Sequence, residues 1–131
     1  MVVDRYSGWF NIYYGEGAAK SLIGTLTALC RDFGVPETVT TDGGPQFTSD
    51  ITETFFKQYG ISHRLCSVAH PHANTRAEVA VKTAKRILTG NVTSTGRLDT
   101  LSLSKALLLH RNTPDRDIGL SPAEMIFGRP I

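Results

Sequence analysis

The amino-acid sequence predicts an α/β layer fold built around a mixed sheet. Short stretches of β-branched and aromatic residues alternate with stretches of helical periodicity, and turn residues rather than a helix join the first two β stretches. An initial hairpin followed by alternating strands and helices is typical of such layered folds. The 131 residues are enough for one domain with a buried core.

Composition points to a globular chain. Apolar residues make up 40% of the sequence and charged residues 20%. No apolar run approaches the length of a membrane span, so we expect neither a signal peptide nor a membrane partner. The net charge of +2 is a weak indication of an anionic partner. Cys30 and Cys66 lack the spacing of zinc or redox sites, and we expect both to be buried thiols outside any disulfide.

The first half of the chain is predicted to hold a hairpin, two helices and two further strands. Residues 1–5 and 9–14 are strand-like, and the turn formers RYSG separate them. The later elements are a helix over 18–33, a strand over 37–41, a helix over 49–59 and a strand over 61–68. Apolar residues at helical spacing support both helices, and a glycine follows each as a stop signal. They are Leu22, Leu26, Leu29 and Phe33 on the first helix, and Ile51, Phe55 and Tyr59, expected to be buried, on the second.

The second half is predicted to be helical. Helices are expected over 76–89 and 98–110, and residues 121–128 suit one more helical turn. The segment GNVTSTG, residues 90–96, has linker character. The residues expected in the core are Ala77, Ala80, Val81, Ala84 and Leu88, then Leu101, Leu107 and Leu108.

Asp42 follows the strand over 37–41 and opens a Gly-Gly-Pro turn. Asp-Gly is common turn chemistry, so taken alone Asp42 would be interpreted as a turn residue. A functional interpretation stays open, because α/β folds present groups to ligands at the carboxyl ends of their strands.

Glu78 stands at the start of the helix over 76–89 and has three possible roles. It could close a capping box with Thr75 as the N-cap residue. It could pair with Lys82, four residues further on, in the favourable orientation for a helical ion pair. It could also hold a metal ion.

Three histidines, His63, His70 and His72, raise the question of zinc. No cysteine stands at finger spacing from them, which favours structural or hydrogen-bonding roles. Lys82, Lys85 and Arg86 lie opposite the apolar stripe of their helix. Such residues usually form a solvated face. An anionic substrate held at Glu78 would, however, lie alongside them on the same helix.

Four segments taken together resemble the catalytic core of retroviral and retrotransposon integrases, most closely the Ty3/gypsy type. They are VDRYSGW at 3–9, TDGGPQF at 41–47, SVAHPHANTRAEVAVKTAKRIL at 67–88 and HRNTPDRDIGLSPAEMIFGR at 110–129. Thirty-five residues lie between Asp42 and Glu78, the spacing that this family uses between its second and third catalytic carboxylates. The resemblance covers nearly the whole chain.

The resemblance implies a ribonuclease H-like fold, a five-stranded mixed sheet flanked by helices. It implies DNA integration by phosphoryl transfer, first 3′-end processing and then strand transfer. Three carboxylates would hold two Mg²⁺ or Mn²⁺ ions, hard cations that prefer carboxylate oxygens. DNA (element ends and target) would be the partner, the protein would form homo-oligomers, and it would work in the nucleus.

Carried over by position, Asp42 resembles the second catalytic, metal-binding carboxylate and Glu78 the third. Residues 68–74 resemble the mobile loop beside the family's active site. The positions that resemble DNA-binding residues are Asn74, Lys82, Lys85 and Arg86.

Two departures from the family pattern affect these expectations. The family usually has Asn-Gly where this chain has Asn74-Thr75. Because positive φ is strained for threonine but not for glycine, we expect a stiffer loop. The family's first catalytic Asp lies on a strand upstream of the DRYSGW segment, and Asp4 is interpreted as a turn residue rather than as that ligand. We therefore expect residues 1–131 to be an integrase core-like domain that is incomplete at its N-terminus. It would lack the first, central strand, have a divided sheet, and be inactive by itself.

Two other functions compete with an active integrase core. One is a non-catalytic DNA-binding or self-associating remnant of a domesticated or degraded retroelement. The other is a metal-dependent phosphohydrolase on a similar α/β sheet, which the thirty-five-residue spacing argues against.

Overall fold

The structure, a computed structural model, describes residues 1–13, 19–66 and 75–131, with the backbone alone for 75–77. Its elements in chain order are β1 (Val2–Val3), β2 (Phe10–Asn11), α1 (Ala19–Phe33), β3 (Thr38–Thr41), α2 (Pro45–Thr48), α3 (Asp50–Tyr59), β4 (Ser62–Leu65), α4 (Thr75–Gly90), α5 (Thr100–Arg111) and α6 (Pro122–Phe127). They divide between two compact units, Met1–Ile12 with His72–Ile131, and Tyr13–Pro71. Among the described helices, none has the length and apolar character needed to cross a membrane.

The predicted helices and strands are present, and α2 is an element that the prediction missed. The strands are shorter than predicted. β1 and β2 pair antiparallel as the expected hairpin, and β3 and β4 pair in parallel. Over the described residues these pairs are two separate two-stranded sheets, which agrees with the expectation of a divided sheet.

The unit Tyr13–Pro71 packs α1 and α3 around a core of Leu26, Phe55, Phe56 and Ile61. The buried residues of α3 are Thr52, Phe55 and Phe56. The core-facing stripe is thus rotated by about one residue from the predicted one. Ile51 and Tyr59, predicted to be buried, are instead 51% and 41% exposed.

Local signals set the ends of α3 where the sequence placed them. The Ser49 hydroxyl accepts a hydrogen bond from the Thr52 amide at 3.4 Å, and Gly60 ends the helix with φ of 68°. Cys30 is half-buried against the core of this unit, but Cys66 is exposed, so the predicted burial is wrong for Cys66. Cys66 follows β4, whose residues are mostly exposed.

Asp4 organises the turn between β1 and β2. Its Oδ2 accepts hydrogen bonds from the Ser7 amide at 3.1 Å and the Ser7 hydroxyl at 2.5 Å. The amide of Asp4 donates to the Trp9 carbonyl at 2.7 Å, and Gly8 takes a φ of 75°. A carboxylate that bonds the backbone a few residues ahead is a turn device, so the prediction of Asp4 as a turn residue is confirmed.

The unit that contains the hairpin has its core at Phe10, Ala80 and Ala84, with Leu107 of α5 packed against them. The ring of His110 lies 4.8 Å from that of Phe10. Because Leu107 and His110 are three residues apart, they share the face that α5 turns to the core. The predicted core residues Leu101 and Leu108 lie off that face and are 65% and 50% exposed, so the prediction is wrong for both.

Arg111 joins the end of α5 to the hairpin. Its Nη2 donates to the Phe10 carbonyl at 3.1 Å and to the Asn11 side-chain oxygen. Its guanidinium also lies 4.1 Å from the centre of the Trp9 ring, within cation–π range. Burial lowers the pKa of the neighbouring His110, and the positive charge of Arg111 lowers it further.

Candidate metal and nucleic-acid site

Asp42 lies directly after β3, where its carboxylate is exposed to solvent. Its Oδ1 accepts a hydrogen bond from the Gly44 amide at 2.9 Å, which makes the turn that leads into α2. Within the described part of the chain, no donor bonds Oδ2. An exposed carboxylate with one oxygen held by the backbone and the other open to solvent suits a hard divalent cation.

The segment that follows Asp42 is tied to the core of its unit. The hydroxyl of Thr52, which is fully buried, donates to the Gln46 carbonyl at 2.6 Å and lies 3.0 Å from the Ser49 hydroxyl. These hydrogen bonds hold α2 against the first turn of α3. The signal for α2 in the sequence was Pro45 at its first position, a common place for proline in helices.

The close approach of Gly44 to Asp42 leads to a testable expectation. Gly44 has φ of −57° and ψ of 147°, which alanine adopts easily. A methyl group there would lie 3.0 Å from Asp42 Oδ1 and 3.1 Å from Gln46 Oε1. Gly44→Ala should therefore displace the carboxylate and weaken Mn²⁺ binding about tenfold, as losses of supporting contacts do. Electron paramagnetic resonance titration of free Mn²⁺ measures this affinity.

Gly43→Ala is the matched control for this change. A methyl group at Gly43 meets no atom within 4 Å, so Mn²⁺ affinity should stay within about twofold of the original, because an open surface methyl alters little. Equal losses in the two variants would show that the position of the Asp42 carboxylate does not govern the binding of the ion.

Glu78 is exposed in the first turn of α4. The side chain of Thr75 lies outside the described residues, so the capping box of Thr75 with Glu78 stays a prediction. No ion pair joins Glu78 to Lys82, two residues whose side chains are both described. Asp42 and Glu78 belong to different compact units, and their approach to one ion stays a prediction.

The predicted basic residues of α4 are exposed. Lys82 and Arg86 lie one helical turn apart, and Lys85 lies beside them. The buried residues Ala80 and Ala84 occupy the other side of the helix. This confirms the expected face, whereas its contact with an anionic substrate stays a prediction.

Several predicted site residues lie outside the described residues. They are Asn74, His70, His72 and the loop 68–74. Across residues 1–13, 19–66 and 78–131, no three His, Cys, Asp or Glu side chains come together in a group that could hold a metal ion.

His63 has the hydrogen-bonding role that the sequence favoured. Its Nε2 lies 2.7 Å from the Thr41 hydroxyl, and its ring packs against Phe56 with 4.6 Å between ring centres. The Thr41 hydroxyl in turn donates to the Asp42 carbonyl at 2.9 Å. Sequence reasoning missed this connection, because it depends on the register of β3 against β4.

These elements define an α/β domain that presents a carboxylate at a strand end, the usual ligand edge of such folds. Residues 1–71 match the family described as "Integrase core domain", and the chain belongs to that family. Its members are polynucleotidyl transferases that act in DNA integration. The predicted family is thereby confirmed, and the Ty3/gypsy subtype stays a prediction.

Individual relatives agree with this assignment. The Pol polyprotein of Feline endogenous virus ECE1 is 33% identical over 99% of this chain. The chain spans only 13% of that polyprotein. The crystal structure of the catalytic core domain of BIV integrase has a TM-score of 0.76 at 22% identity, covering 96% of this chain and 82% of that one.

A second solved structure shows the same fold. The HTLV-2 integrase catalytic core domain in complex with magnesium, in its trimeric form, has a TM-score of 0.66 at 18% identity. The match covers 85% of this chain and 71% of that one. The predicted ribonuclease H-like fold is confirmed by these two likenesses.

Proposed function

We propose that this chain supplies the second and third carboxylates of an integrase catalytic core that processes 3′ ends and joins them to target DNA. The observation that carries the proposal is the exposed Asp42 carboxylate directly after β3, in a chain of the integrase core family. Glu78 follows at the family's spacing, exposed in the first turn of α4. The reaction that tests the catalytic role is metal-dependent joining of oligonucleotide duplexes.

Asp42 and Glu78 would hold the metal ion, Mg²⁺ or Mn²⁺, through their carboxylate oxygens. The donor chemistry fits, because both are exposed carboxylates and Asp42 has an oxygen that no described donor occupies. When bound, such ions activate an attacking oxygen and stabilise a leaving one. The magnesium complex of the HTLV-2 core supports this choice of cation. The role left to the chain itself is to orient the two carboxylates.

DNA would contact the exposed basic face of α4, and Asn74 would contribute from the preceding segment. The exposed cations Lys82, Lys85 and Arg86 are suited to phosphate oxygens, which they would bind without reading base sequence. We also propose self-association, which the trimeric form of the HTLV-2 core supports. We further propose that the protein works in the nucleus, where target DNA lies.

Changing Lys82 and Lys85 together to alanine should weaken DNA binding and reduce its salt dependence. Each phosphate contact contributes a slope of roughly 0.9 to the plot of log affinity against log salt concentration, so the slope should fall by about 1.8. Alanine keeps the helix intact because its helix propensity is high. Fluorescence anisotropy with a labelled duplex at several salt concentrations measures the slope.

Lys57 and Lys105 provide a matched control. Both are exposed lysines on other helices, and their joint replacement by alanine should leave the slope nearly unchanged. If the slope of log affinity against log salt concentration falls equally in both double variants, the α4 lysines do not contact DNA phosphates any more than other exposed lysines do. The alternative function, a non-catalytic DNA-binding or self-associating domain, would give the same DNA binding without any metal-dependent joining.

A further inference from the structure

We propose that His63 and Thr41 are positioning residues for Asp42: a hydrogen-bonded relay from His63 through Thr41 fixes the peptide group of Asp42 and, with it, the direction of the carboxylate. The inference rests on the proposed function in one respect, that Asp42 binds the metal ion. It extends that function by assigning a role to two residues that lie outside the carboxylate set.

The relay crosses the parallel pair of strands. In the register of β3 against β4, Val39 is opposite His63 and Thr41 is opposite Leu65. Thr41 and His63 are therefore diagonal neighbours on one face of the pair, within reach of each other. The Thr41 Oγ1 to His63 Nε2 distance of 2.7 Å shows that the contact is made.

The donors and acceptors of the relay follow from the inventory of its groups. The Thr41 hydroxyl carries a single proton, which it donates to the Asp42 carbonyl at 2.9 Å. It must then accept from His63, so we assign the proton of the imidazole to Nε2. The relay therefore runs in one direction, from the imidazole to the backbone of Asp42.

The imidazole end of the relay is anchored in the core. The ring of Phe56, which is 3% exposed, lies 4.6 Å from that of His63 at an interplanar angle of 34°. Phe56 belongs to the core of its unit and is held there by its neighbours. A packed ring has little freedom to rotate, so the nitrogen of His63 keeps its direction toward Thr41.

At the carboxylate end of the relay, Gly44 hydrogen-bonds the side chain of Asp42. The direction of the Asp42 carbonyl sets the plane of the Asp42–Gly43 peptide, and that plane helps to determine where the Gly44 amide points. The Gly44 amide donates to Asp42 Oδ1 at 2.9 Å. Loss of the Thr41 hydroxyl should therefore loosen the bond that orients the carboxylate, although neither His63 nor Thr41 touches the ion.

Two pairs of variants of the 131-residue chain test the relay. Thr41→Val removes the hydroxyl and keeps the shape, whereas Thr41→Ser keeps the hydroxyl. His63→Phe keeps the ring that packs on Phe56, whereas His63→Gln keeps an N–H donor. The measurements are amide hydrogen exchange of Gly44 by NMR without metal, and Mn²⁺ affinity by electron paramagnetic resonance.

Thr41→Val and His63→Phe should speed Gly44 exchange and weaken Mn²⁺ binding by about tenfold, the scale of losses from outer contacts of a metal site. Thr41→Ser and His63→Gln should stay within about twofold of the original chain. Unchanged exchange in Thr41→Val, or equal shifts in all four variants, would overturn the relay. If Asp42→Asn leaves Mn²⁺ binding unchanged, the proposed function fails, and Gly44 exchange still decides the relay independently.

Discussion

Asp42→Asn and Glu78→Gln should each lower metal-dependent DNA joining at least about 10³-fold in a catalytically competent form of this domain. Either change removes the negative charge that holds a divalent ion where charge develops during phosphoryl transfer. A loss of that size corresponds to about 4 kcal/mol of transition-state stabilisation. The competent form would be the 131-residue chain extended at its N-terminus by a family strand that bears the first catalytic Asp.

The assay for this prediction is 3′-end processing and strand transfer on labelled oligonucleotide duplexes with Mg²⁺ or Mn²⁺, followed by gel electrophoresis. A polypeptide of these 131 residues alone should form no product, because two carboxylates hold two ions poorly. Asp50→Asn and Glu53→Gln, at exposed positions on α3, are the matched controls and should retain activity. Joining by the unextended polypeptide, lost on changing Asp42, would contradict the prediction and make Asp4 a candidate ligand.

Arg111→Ala should lower the free energy of unfolding of its unit by roughly 2–4 kcal/mol. The substitution removes the hydrogen bonds from Nη2 to the Phe10 carbonyl and the Asn11 side chain, and the cation–π contact with Trp9. The two hydrogen bonds come from one nitrogen and are counted together as one bond from a charged group, about 1.5–3 kcal/mol, to which the cation–π contact adds about 1 kcal/mol. Urea titration followed by tryptophan fluorescence reports on this unit, because Trp9 is the only tryptophan of the chain.

Two further variants separate the causes of that loss. Arg111→Lys keeps the charge but lacks the planar fork of donors, so it should recover only part of the stability. Arg116→Ala, at an exposed position, should change the free energy of unfolding by no more than about 0.5 kcal/mol. A similar effect of Arg111→Ala and Arg116→Ala would show that the junction between α5 and the hairpin contributes little.

The sequence by itself determined the family and the order of every helix and strand except α2. Ser49 and Gly60 bound α3 as expected, and Asp4 makes the predicted turn. Such features are predictable because caps and turns depend on residues within a few positions of each other. The family was predictable because Asp42 and Glu78 stand at a characteristic spacing within matching segments.

The tertiary structure decided which faces are buried and how the Asp42 carboxylate is held. Periodicity placed Ile51 and Leu101 in the core, yet both are exposed, because their helices meet their neighbours through adjacent faces. The bond between Thr41 and His63 likewise follows from the register of β3 against β4. Both outcomes depend on contacts between residues far apart in the chain, and a local pattern does not specify which distant surface it will meet.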